Sequence, residues 1–117
     1  MECTCNIDSS RSNVYKNPIQ IIKTAKYIID CVECGSDIKI GSKYEYYEGK
    51  FSHITCLDCL SLRDNFFDSW TFGNIWEDFE NHMNECDWQV PESCLSKCTV
   101  FTRNKICGKI ENFWDEL

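Results

Sequence analysis

Two Cys-x-x-Cys pairs, Cys31/Cys34 and Cys56/Cys59, constrain this chain more than any other feature of its sequence. Two such pairs roughly 20 residues apart have the spacing of a four-thiolate metal site. Gly35 follows the first pair and supplies the positive φ that a tight Cys-x-x-Cys-Gly turn needs. Between the pairs, Ile38-Lys39-Ile40 alternates, Gly41 turns the chain, and Lys43 to Glu48 reads as a tyrosine-rich strand. Glu48-Gly49-Lys50 then reads as a hairpin turn that returns the chain toward the second pair. Cys56 and Cys59 at the start of a helix share one face. The free N–H groups of that helix terminus favour thiolate charge. Four thiolates saturate a tetrahedral Zn²⁺ and leave no position for water, which makes a closed structural site. The sequence therefore predicts one zinc ion on Cys31, Cys34, Cys56 and Cys59, in a treble-clef-like order of knuckle, hairpin and ligand-bearing helix.

His53 opens an alternative, because His53-x-x-Cys56 is also ligand spacing. A Cys31/Cys34/His53/Cys56 set resembles the zinc finger of the DNA-nick-sensing polymerases, whose intervening segment is longer. Cys59 is the preferred fourth ligand, with His53 at a strand end or behind the ligands. A second zinc site would draw on Cys3 and Cys5, a compact pair, and on His82 and Cys86, which are i, i+4 on a helix. Cys94, Cys98 and Cys107 fall at apolar helical positions and read as core.

Ten cysteines would mean a disulfide framework in a small secreted protein. The start, MECTCNIDSS, has no basic segment, apolar run or small-residue cleavage site, which points instead to a cytoplasmic chain with reduced thiols. Ile19 to Ile29 carries Lys23 and Lys26 and is too short and too charged to span a bilayer, so no membrane partner is expected.

Along the chain the period changes once. Ile19 to Ile22 and Tyr27 to Ile29 are β-branched and aromatic, as strands are. From Leu57 the period is helical, through Leu60, Leu62 and Phe66. Asp68 to Gly73 reads as a connection, and Ile75, Phe79, Met83 and Cys86 recur at helical steps opposite a polar face. Pro91 and Ser93 start a short turn, and Ile106, Cys107, Ile110, Phe113, Trp114 and Leu117 form the stripe of a last helix. The expected class is α+β, with a zinc-binding β-rich half at 1–67 and a helical half packed on it at 68–117.

These residues resemble a group of small Cys-rich proteins encoded by bacteriophages. The likeness lies in Lys26 to Phe67, with C-x-E-C-G, I-x-x-G-x-x-Y, T-C-x-x-C and L-R-D. It extends to the opening C-x-C, to the W-E-D segment between Gly73 and Phe79, and to the P-x-S-C-L run. The resemblance implies a zinc fold and a phage accessory role in a host cytoplasm, and leaves the activity open. Small phage accessory proteins often act by binding a host protein, so the resemblance implies a host partner, such as a nuclease complex of bacterial defence.

Charge separates the function classes. Residues 56–92 carry a net −8 of the total −7, while residues 11–55 carry +2. An acidic middle disfavours general binding to phosphate backbones. It favours a host protein with a basic surface, met by Glu77, Asp78 and Glu80 with Trp70 and Trp76 as anchors. The alternative is a nucleic-acid-binding zinc finger, in which Lys16, Lys23, Lys26, Lys39, Lys43 and Lys50 sit among Tyr15, Tyr27, Tyr44, Tyr46 and Tyr47. No Ser/His/Asp set and no three-ligand metal site is evident, so the chain is not expected to be an enzyme.

Overall fold

The computed structural model describes residues 6–8, 19–49 and 51–116 as a mixed α+β structure. A three-stranded antiparallel sheet has the order β2(Ile19–Thr24), β5(Lys43–Glu48), β6(Ser52–Cys56). Its strands are the β-branched and tyrosine-rich runs seen in the sequence. Between β2 and β5 the chain forms a small antiparallel ladder, β3(Ile29–Asp30) on β4(Asp37–Ile38), which carries the first cysteine pair at its tip. β3 is shorter than the expected strand, because Tyr27 and Ile28 are exposed and pair with nothing in a sheet.

β6 runs directly into α1(Leu57–Phe66). The buried face of α1 is Cys59, Leu62, Arg63 and Phe66, so Leu57, which the helical pattern placed inside, is exposed. The segment after α1 is not all connection. β7(Phe67–Ser69) pairs in parallel with β1(Ile7–Asp8), and this ties the start of the chain to the start of the helical half. Then come α2(Ile75–Glu85), the single turn α3(Glu92–Leu95) and α4(Val100–Asp115).

One apolar cluster runs through both halves, from Ile7, Ala25 and Ile38 through Leu62 and Phe66 to Ile75, Phe79, Met83, Trp88 and Ile106. Its spine is aromatic: Phe79 meets Phe66 edge-on at 5.1 Å and Trp88 at 5.9 Å, and Trp88 reaches Phe113 at 6.4 Å. Pairs of this kind contribute about 0.5–1.5 kcal/mol each beyond the area they bury. The described residues before and after Phe67 thus share one core.

A buried ion pair joins the sheet to α1. Arg63 donates through both terminal nitrogens to Glu45 on β5, at 2.7 and 2.5 Å, and both side chains are buried. Gln20 on β2 donates to the same carboxylate at 2.6 Å. The Arg63 guanidinium lies 4.3 Å from the Trp70 ring centroid and 5.6 Å from that of Phe72.

Candidate metal centre

The first pair sits in a tight turn. Gly35 donates to the Cys31 carbonyl at 2.9 Å, Cys31 donates to the Ser36 carbonyl at 3.0 Å, and Gly35 has φ of +70°. Val32 donates to the Ile54 carbonyl at 2.8 Å, which pins this turn to β6. The second pair is placed by the β6–α1 junction. Cys56 is the N-cap of α1, and its sulfur accepts from the Cys59 N–H at 3.5 Å. The four sulfurs of Cys31, Cys34, Cys56 and Cys59 all lie within 4.8 Å of one another. Cys34 and Cys56 are 3.9 Å apart, sulfur to sulfur. Tetrahedral ligands at a Zn–S length of 2.3 Å are separated by about 3.8 Å, so the spacing suits one ion of that size.

The surroundings favour thiolates. The Cys31 sulfur accepts from the N–H groups of Glu33, at 3.4 Å, and Cys56, at 3.3 Å. Hydrogen bonds from the Cys56 and Cys59 thiols hold the Cys31 thiol far below its ordinary range. Their counterpart is that Cys56 is pushed up to about 12, first by its bond to Cys31, and Cys59 is pushed up further for the same reason. Four thiols this close cannot all ionise unless a cation takes the place of their protons. The set can hold a metal ion.

His53 is not part of it. Cys56 lies opposite Tyr44 and His53 opposite Tyr47, so the two side chains leave β6 on opposite faces. H-x-x-C spacing converges on a helix and diverges on a strand. His53 instead stacks on Phe72, with centroids 4.0 Å apart and planes 4° off parallel. Its burial lowers its pKa.

The residues between the ligands reach into the helical half. Glu33, inside the first pair, accepts from Gly73 N–H at 2.9 Å and Ile75 N–H at 3.2 Å. It caps α2, whose own N-cap Asn74 makes no side-chain cap bond. Asp58, inside the second pair, accepts from the Thr99 hydroxyl at 2.7 Å, and its carbonyl accepts from Thr102 Oγ1 at 2.6 Å. Thr99 is the N-cap of α4. Trp76 on α2 donates its indole N–H to the Cys59 sulfur at 3.3 Å. Sequence patterning missed these links, since a single acidic residue inside Cys-x-x-Cys does not announce the helix it will cap. Glu33→Ala should cost about 1–2 kcal/mol, the size of a lost cap, read as a lower thermal midpoint with metal content unchanged. An unchanged midpoint would show that the cap contributes nothing.

The other sequence-predicted residues are placed differently. Cys3 and Cys5 lie outside the described residues. His82 is half-buried on α2, and Cys86 is disulfide-bonded, a state that offers a metal no thiolate. Cys94 is disulfide-bonded as well, so the expectation of reduced thiols throughout fails for these two. Cys98 is a buried free thiol, pushed up to about 11 chiefly by burial, and Cys107 is half-buried and free.

The expected anchors Trp70 and Trp76 are half-buried, Trp70 against Arg63 and Trp76 against the Cys59 sulfur, and Lys105 sits 4.1 Å over the Trp76 ring. Asp78 is buried, and Glu80 pairs with Lys109. Of the predicted acidic trio, Glu77 is exposed and Glu80 half-buried. No family profile, curated protein or solved structure matches the chain. No helix of the described residues is long and apolar enough to cross a membrane.

Proposed function

We propose that this protein is a zinc-stabilised, non-enzymatic binding module of treble-clef type that acts on a partner protein with a basic surface. The observation that carries the reading is the completeness of the Cys31/Cys34/Cys56/Cys59 set. Four sulfurs at mutual ligand spacing saturate Zn²⁺ and leave no coordination position for a substrate. The order of turn, hairpin and helix bearing the last two cysteines supports the treble-clef assignment. A host protein, in line with the phage-like motifs, is the partner this reading favours.

The surface of residues 68–116 supports a basic partner. Glu77, Glu85, Asp87 and Glu92 are exposed, and α4 exposes Val100, Phe101 and Trp114. Opposite charge steers encounter, and apolar side chains then provide the contact. Reversing Glu77, Glu85 and Glu92 to lysine should weaken partner capture, and raised salt should do the same to the unaltered protein. Metal content and fold should be retained, since none of the three is buried. Capture indifferent to both changes would refute the reading.

A second reading has its own observation. Lys23, Thr24, Lys26, Tyr27, Ile29 and Tyr44 line an open cleft of about 410 Å³ beside β2. Two lysines beside an exposed tyrosine suit a stacked base and its phosphate. Oligonucleotide binding lost on Lys26→Ala or Tyr27→Ala, together with capture untouched by the glutamate reversals, would put nucleic acid in place of the protein partner.

A further inference from the structure

Among the described residues, the outer edge of β2 is open. β2 lies at one margin of the three-stranded sheet, pairs only with β5, and has all six of its residues exposed. Among the described residues, none pairs with its other side. Ile19, Ile21 and Ile22 are 49%, 45% and 53% exposed. Natural edge strands are blunted by brevity, proline, bulges or outward charge. β2 pairs with β5 through six consecutive partners with no shift of register, so its edge is continuous. Its single charge, Lys23, does not guard that edge, because its ammonium group lies 4.0 Å from the Tyr46 ring centroid.

Charge says what fits there. At the Thr24 end stand Lys23, Lys26 and Lys43, the last being the cross-strand partner of Thr24. At the other end Glu48 stands opposite Ile19. Among the described residues, this margin of the sheet is therefore positive at one end and negative at the other. A second β2 laid antiparallel brings the lysine end of each copy to the Glu48 end of the other, whereas a parallel copy would set like on like. The edge is complementary to itself under a two-fold axis.

We propose that the chain forms a two-fold dimer by pairing β2 with β2 of a second copy, giving a sheet of order β6-β5-β2-β2-β5-β6. This goes beyond the partner-binding reading and does not depend on it. A two-fold axis perpendicular to the sheet keeps each face on its own side, so odd residues meet odd and even meet even. Centring on Ile21 sets Ile21 against itself, Ile19 against Lys23 and Gln20 against Ile22. Centring on Ile22 instead would leave Ile19 outside the pairing. The Ile21 register covers all three exposed isoleucines of each copy and adds the backbone hydrogen bonds of strand addition.

Sedimentation velocity of the metal-loaded chain across a wide concentration range tests this. A concentration-dependent monomer–dimer equilibrium is expected. Monomer throughout, or open-ended assembly, overturns the proposal. Ile21→Lys places two like charges face to face at the axis and should abolish the dimer with metal content and circular dichroism unchanged, and Ile21→Glu should do the same. Mixing the two variants should restore a heterodimer. A dimer that survives either variant, or a mixture that stays monomeric, overturns the register and the seam. Should the variants fail to fold, hydrogen exchange on the unaltered protein decides. β2 amides should gain protection with concentration while those of β6 do not, and the absence of that gain overturns the proposal.

Discussion

Stripping the metal, by chelator or by Cys31→Ser or Cys59→Ser, is expected to unfold the helical half together with the β-rich half. Zinc bound by four thiolates contributes about 10–16 kcal/mol of apparent binding energy at neutral pH, and in a small domain that energy is folding energy. The whole stability of a domain is about 5–15 kcal/mol, so its removal cannot be absorbed. Loss should spread through the contacts the ligand loops make. Once the Cys31–Cys34 turn opens, Glu33 no longer caps α2, and once the β6–α1 junction loosens, Asp58 no longer holds Thr99 and Thr102 at the start of α4.

The measurement is far-ultraviolet circular dichroism and amide exchange before and after chelation, with recovery on adding zinc and elemental analysis of the reduced protein, where about one zinc per chain is expected from this site. Acidification should act like the chelator. Binding displaces thiol protons, so a lower pH restores those protons and releases the ion. His53→Ala should be mild by comparison, because it removes a ring stack on Phe72 and no ligand. Helices α2 and α4 that stay protected after the metal is gone would disprove the coupling.

The second large effect is expected at the buried pair. Glu45→Ala leaves the Arg63 guanidinium without its bidentate partner in a place that water does not reach, and Arg63→Ala leaves the carboxylate likewise. Breaking such a pair costs about 3–5 kcal/mol. The double replacement Glu45→Leu with Arg63→Met removes both charges at similar volume and should recover most of that loss. Chemical denaturation of the metal-loaded protein separates the cases. Equal destabilisation by the single and double replacements would mean that lost packing against Trp70 and Phe72, and not the stranded charge, sets the cost.

Local spacing was enough to find the four cysteines that come together, because the two Cys-x-x-Cys turns and the hairpin between them place the sulfurs through short-range geometry alone. The same holds for the existence of β5, α1, α2 and α4, though not for Leu57 and Trp114, which their patterns placed inside and which are exposed. It did not hold for Tyr27 and Ile28, where β-branched and aromatic character suggested a strand but no segment among the described residues offers a ladder. Nor could patterning find Arg63 on Glu45. A hydrophobic period registers only apolar positions, and this pair joins charged residues on separate elements.

The clearest division falls on α2. Its sequence determines that Ile75, Phe79 and Met83 share a face, since the helical repeat fixes that by itself. Only the tertiary structure decided how wide the buried stripe is. The first cysteine pair, the Cys59 sulfur and α4 close in on the start of the helix from three sides. Asp78, a polar-face residue by sequence, is therefore buried, Trp76, an expected surface anchor, is half-buried against Cys59, and Glu77 is exposed. Periodicity gives each residue an angle around its own helix axis. Which angles are covered depends on segments distant in the chain, and the sequence does not carry their positions locally.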